Sequence, residues 1–188
     1  MFCHAIIHSD GVLHSLARAG HTQLKILVLG LGNPILTDDA VGIIVAEEVG
    51  RRLDREDVVV DQASVGGLGL LELVLGYDRV IIIDAIQTAA GQPGQIHRLS
   101  PDQFRGNLRA ASPHDVTLAT ALELGRRLRK DIPKEIVILA VEAADTETFG
   151  EELTPAVAAA VPEVVELVLQ ELERQGNGQR RPRCPAAR

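Results

Sequence analysis

Two adjacent carboxylates, Asp38 and Asp39, stand where a nucleotide-binding chain would avoid negative charge. They follow an apolar strand over 25–30 and the turn Leu31-Gly32-Asn33-Pro34, and they open a helical run through 40–48. A strand, a Gly-rich turn and a helix cradle phosphate because backbone N–H groups and the helix dipole favour an anion. Two carboxylates at the helix start repel one, and the third glycine of the dinucleotide fingerprint would fall at Ile35. No nucleotide cofactor is expected, and this end of the first strand reads as a site for a cation or a polar reaction. Asp84 closes a second apolar strand over 79–84. The third candidate is His114, in Ser112-Pro113-His114-Asp115: Ser112 with Asp115 three residues on resembles a capping box, and Pro113 suits the first helical position. In a helix's first turn the dipole favours neutral imidazole, the form that ligates metal. Asp39, Asp84 and His114 together suit a divalent ion with open positions, such as zinc or nickel, and Asp39 and Asp84 are the candidates for a catalytic base. Each residue also has a plainer role. Asp39 could complement a helix start, Asp84 could bond its own turn's backbone, and His114 could merely begin a helix; only their joint placement favours a site.

The elements that must hold these residues alternate strand and helix. Strands are expected at 25–30, 57–61, 79–84, 95–99 and 135–141, three of them continuous β-branched runs suited to burial on both faces. Helices are expected at 39–52, 67–76, 113–129 and 154–174, the last with Thr154 as cap, Pro155 in its first turn and Pro162 as a kink. The strand at 95–99 begins eleven residues beyond Asp84, across Gly91, Pro93 and Gly94. That is too short for a helical crossover, so it should return antiparallel. The fold class is α/β, a three-layer sandwich around a mixed five-stranded sheet with one antiparallel strand. In such a sheet, with strand 1 beside strand 3, Asp39 and Asp84 converge at the carboxyl-end crevice. His97 is expected to face outward from its short strand, Asn33 to hold its turn through its side chain, and the stretch 100–112 to form a loop.

The chain has 188 residues, long enough for one α/β core. A single domain is expected over 23–174, flanked by a disordered extension at 1–22 and a basic, disordered tail at 175–188. Net charge is -7, and the last fourteen residues carry four Arg and no acid, so residues 1–174 carry -11. A body so acidic is a poor partner for nucleic acid. No apolar run approaches a membrane span, so no membrane is expected. Cys3 and Cys184, at opposite ends, support neither a disulfide framework nor a cysteine metal site. HExxH, GxSxG, SxxK and P-loop sequences are absent, which disfavours a zincin, a nucleophile-elbow hydrolase and a kinase.

With GLGNPILTDDAVG at 30–42, the strand ending Asp84-Ala85, and Ser112-Pro113-His114 in order, the chain resembles the maturation endopeptidases of nickel-iron hydrogenases. The resemblance runs from about residue 24 to 172. It implies a phosphorylase/hydrolase-like fold and a cytoplasmic protease that removes the C-terminal extension of the hydrogenase large-subunit precursor after nickel insertion; a monomer is expected. The family's three metal-contacting positions fall on Asp39, Asp84 and His114, and the nickel they meet is supplied by the precursor. Where the family often has Asp-Gly-Gly-Thr after its second strand, this chain has Asp61-Gln62-Ala63-Ser64. Two alternatives stay open: a nickel-sensing assembly partner that does not cut, and peptidyl-tRNA hydrolase, which shares Gly-Leu-Gly-Asn-Pro after its first strand but needs a His soon afterwards. Here none occurs before His97.

Overall fold

The computed structural model describes residues 24–103, 118–128 and 130–178. Its elements in chain order are β1 (Ile26–Leu31), a 3-10 turn (Thr37–Ala40), α1 (Val41–Arg52), β2 (Val58–Ala63), α2 (Gly67–Val74), β3 (Arg79–Ile86), β4 (Ile96–Leu99), α3 (Leu118–Arg127), β5 (Glu135–Glu142) and α4 (Pro155–Gly178). The sheet order is β2-β1-β3-β5-β4. All neighbours are parallel except β4, which runs antiparallel to β5. The eleven-residue spacing after Asp84 had implied that reversal, because no crossover helix fits within it.

Side-chain alternation divides the apolar runs between two cores. Ile26, Val28, Ile81, Ile83, Leu139 and Val141 pack beneath α1 and α4, while Leu27, Leu29, Val80, Ile82, Ile138 and Ala140 pack beneath α2 and α3. Strands covered on both faces need no polar alternation, which is why β1, β3 and β5 read as continuous hydrophobic runs. In α4 the expected stripe is buried: Val157, Val164, Val165, Val168 and Leu172 face the sheet, with Val161 packed beside them. Pro162 lies inside this helix, which continues through Gly178. Residues 1–22 and the rest of the expected tail lie outside the described residues, as does most of the expected loop at 100–112.

Two glycines let α1 sit close to the sheet. A Cβ on Gly42 would collide with the carbonyl oxygens of Leu31 and Ile83, and one on Gly30 would collide with the Gly42 carbonyl. The first turn of α1 therefore rests directly on the ends of β1 and β3.

At the other end of the sheet, Arg79 is 3% exposed. Its Nη2 lies 2.7 Å from Glu171 Oε2, and its Nη1 donates to the Glu171 carbonyl at 2.5 Å. Arg98 and Arg174 reach Glu171 Oε1 at 2.8 and 2.9 Å, so one carboxylate on α4 ties down the starts of β3 and α4's last turns. Arg98 first, and Arg79 with it, hold the Glu171 carboxyl below its ordinary value of 4.5 against the opposing effect of burial. A lowered folded pKa means stability that is present above the unfolded value and lost as pH falls through the folded one. In acid unfolding followed by circular dichroism, Glu171→Gln should be less stable than wild type at neutral pH and lose less between about pH 5 and pH 3. Parallel acid limbs for the two proteins would exclude this role.

Candidate active site

Asp38 and Asp39 are both buried, at 0% and 8% exposure, and the structure shows what Asp38 holds. Asp38 Oδ2 accepts the N–H groups of Ala144 and Asp145 at 2.8 and 3.0 Å and the Thr154 hydroxyl at 2.9 Å. Its Oδ1 accepts the Thr154 N–H at 2.7 Å. Asp38 thus ties the turn before α1 to the segment between β5 and α4, and its four donors leave it no reason to bind anything else. Thr154 stands at the start of α4 as expected, its carbonyl accepting the Ala158 N–H at 2.9 Å. Its hydroxyl, however, serves Asp38 and not the helix. Asp38→Ala would leave three N–H groups and a hydroxyl without their acceptor in a closed interior, a loss on the order of 3–5 kcal/mol in urea unfolding. Asp38→Asn, which keeps one carbonyl oxygen, should lose less. Unfolding of Asp38→Ala at the wild-type midpoint would contradict the assignment.

Asp39 follows in the 3-10 turn, whose backbone packs on β3. Gly32 must be glycine because a Cβ there would strike the Asp39 carbonyl. Three residues on, Gly42 abuts Ile83, the residue before Asp84. The same close packing sets Asp39 and Asp84 at the carboxyl ends of the adjacent strands β1 and β3. Asp84 is 1% exposed and its Oδ1 accepts the Ala85 N–H at 2.9 Å. The turn-holding role open to Asp84 is thus present, and it fixes the rotation of the carboxylate. Asn33 behaves as expected: its Oδ1 accepts the Ile35 N–H at 3.3 Å. Ser64, in the loop after β2, donates to the Gly32 carbonyl at 2.6 Å and joins that loop to the same turn.

His114 lies outside the described residues. Among the described residues no three of His, Cys, Asp and Glu are grouped to hold a metal ion. Sequence reasoning passed over a further buried carboxylate, Glu142, which closes β5 at 2% exposure. Its Oε1 accepts the Thr88 N–H, and Gly91 packs against the carboxylate so closely that a Cβ would overlap it. His97, expected to face outward, is turned in: it pairs with Ala140 across β4 and β5, and its Nε2 is 3.3 Å from Glu142 Oε2. A Glu closing a strand that is apolar from Ile136 to Val141 was the available signal. Glu142 gathers the 88–95 connection that follows Asp84, so it supports the site from beside it. A cavity of about 260 Å³, lined in part by Pro101, Arg126 and Lys134, lies at the far end of the sheet by the start of β5 and is not part of this arrangement.

The fold and site define an α/β protein with carboxylates at the switch point between β1 and β3. A family model described as hydrogenase maturation protease matches residues 43–171. The chain is 32% identical to the hydrogenase 2 maturation protease of Escherichia coli K12 over 81% of this chain and 93% of that protein. It is 29% identical to the hydrogenase expression/formation protein HupD of Bradyrhizobium diazoefficiens, over 87% of this chain and 85% of that one. The solved structure of the hydrogenase maturating endopeptidase HybD from E. coli superimposes with a TM-score of 0.68 at 31% identity, covering 81% and 94% of the two chains. The NiFe hydrogenase maturation protease HycI from Thermococcus kodakarensis, at 22% identity and TM-score 0.61, shares the fold over 81% of this chain and 94% of its own.

The chain belongs to the hydrogenase maturation protease family. It is a peptide-bond hydrolase, and the peptidyl-tRNA hydrolase reading falls away. Among the described residues no helix is long and apolar enough to cross a membrane.

Proposed function

We propose that this protein is the cytoplasmic, monomeric endopeptidase that removes the C-terminal extension of a nickel-iron hydrogenase large-subunit precursor once nickel has been inserted. The observation that carries the reading is the division of the acidic pair. Asp38 is consumed by four structural hydrogen bonds, while Asp39 stands with Asp84 at the β1 and β3 ends. Asp39, Asp84 and His114 take up open positions on nickel that the precursor already holds through thiolates, and so fix the scissile bond beside them. Two carboxylates and an imidazole suit an ion of that borderline character. Asp39 or Asp84 then accepts a proton from the attacking water, whose oxygen adds to the peptide carbonyl carbon, and returns that proton to the scissile nitrogen as the C–N bond breaks and the extension leaves as an amine. The Ala85 N–H holds Asp84 in one orientation during this step.

The test is incubation of a nickel-loaded precursor with the purified protein, followed by intact-mass measurement of the large subunit. Loss of one C-terminal fragment is the expected result. A precursor that binds the protein and keeps its full mass would instead identify a nickel-sensing assembly partner.

A further inference from the structure

Aromatic residues are scarce in this chain: three Phe, one Tyr and no Trp. Tyr77 packs against the core beneath α2 and α3, but Phe149 is 78% exposed. The loop that displays it is tightly held. Asp145 Oδ1 accepts the N–H groups of Glu147 and Thr148, each at 2.9 Å. The Thr37 hydroxyl donates to the Thr148 carbonyl at 2.7 Å. On the other side of Phe149, Gly150 accepts from the Thr37 N–H at 2.9 Å and donates to the Ile35 carbonyl at 3.1 Å. Thr37 adopts φ +27°, a left-handed value that a β-branched residue holds only when its surroundings fix it. The Leu36 to Gly150 bridge makes Ile35, 50% exposed, the neighbour of Phe149. The Ile35 turn leads into Asp39, whose N–H bonds the Leu36 carbonyl at 2.8 Å.

Of the seven exposed large hydrophobic residues described, Ile35, Val65 and Phe149 lie in loops leaving the carboxyl ends of parallel strands, the edge that carries Asp39 and Asp84, and Leu68 lies in the first turn of α2 after one of them. The segment that carries Phe149 has charge of one sign. Glu147, Glu151 and Glu152 are exposed, and no Lys or Arg occurs between Lys134 and Arg174. A second copy of the chain related by two-fold symmetry would set this acidic border against itself. A rigid, preorganised aromatic at the mouth of a site is the usual form of a binding hot spot, since little ordering remains to oppose association.

We propose that Phe149, with Ile35 beside it, anchors the enzyme on the folded body of its precursor substrate, in an apolar socket bordered by Lys or Arg. This rests on the hydrogenase-precursor reading above and adds the surface that holds the partner. Phe149 acts in docking and the carboxylates act in cleavage, so the two are separable.

The experiment measures binding and cleavage independently, using a nickel-loaded large-subunit precursor. Binding is measured by stopped-flow, on a time scale shorter than trimming, with full-length wild-type and Phe149→Ala protein, and cleavage is measured with the same pair. Phe149→Ala should weaken Kd and raise KM by about 10- to 100-fold with turnover at saturation unchanged. Phe149→Leu should recover part of the loss, and all variants should melt like their parents. Glu151→Lys with Glu152→Lys should flatten the salt dependence of binding. Unchanged affinity in Phe149→Ala, or a loss confined to turnover at saturation, would overturn the proposal. So would a wild-type dimer that Phe149→Ala converts to monomer. Phe149-dependent binding without trimming would sustain the docking surface and reject the protease's proposed substrate cleavage. Trimming unaffected by Phe149→Ala would do the reverse, and failure of wild type to bind would reject both.

Discussion

Asp39→Asn, Asp84→Asn and His114→Ala should each reduce precursor trimming by at least about 100-fold, while their far-ultraviolet circular dichroism stays that of the wild type. The expectation rests on the contrast between neighbours. Asp38 spends its carboxylate on Ala144, Asp145 and Thr154, so its loss is felt as instability. Asp39 lies one residue further, on the turn that packs against β3, and its conversion to the isosteric amide removes charge without removing shape. Asp84→Asn can keep the acceptor oxygen for the Ala85 N–H and so preserves its turn. Opposite phenotypes from adjacent residues, stability at 38 and turnover at 39, are therefore the signature. Trimming at the wild-type rate by all three site variants would remove Asp39, Asp84 and His114 from the mechanism.

The second large effect concerns the state of the substrate. Precursor stripped of nickel, casein, and a free peptide spanning the cleavage junction should all remain intact under conditions in which nickel-loaded precursor is fully trimmed. Three ligands drawn from separate segments leave coordination positions open for an ion that arrives already bound by thiolates. Without that ion the site has nothing to grip, and selectivity becomes a difference in affinity between loaded and unloaded precursor. Mass spectrometry of parallel digests gives the answer, and adding nickel back to the stripped precursor should restore trimming. Efficient cleavage of nickel-free precursor would mean that the carboxylates serve some other purpose.

The sequence by itself determined the sheet. Strands buried on both faces have nothing to gain from polar alternation, so β1, β3 and β5 stand out as apolar runs, and the eleven residues after Asp84 are too few for any return but an antiparallel one. It also placed carboxylates at the ends of β1 and β3, where acids at a helix start disfavour the phosphate that such a turn otherwise receives, while the adjacency of those two strands was seen in the structure. Only the tertiary structure decided that Asp38 is structural. Asp38 and Asp39 are identical in type and differ only in what surrounds them, and the donors that claim Asp38 lie more than a hundred residues away, at 144, 145 and 154. The same holds for His97, turned inward by a carboxylate at 142, and for Arg79, met by Glu171 on the last helix. Phe149 follows the same rule in reverse: its exposure arises because bonds from Thr37 and Asp145 hold its loop away from either core. Periodicity records which face of an element is buried, whereas hydrogen-bond partners between distant segments leave no local pattern for a sequence to display.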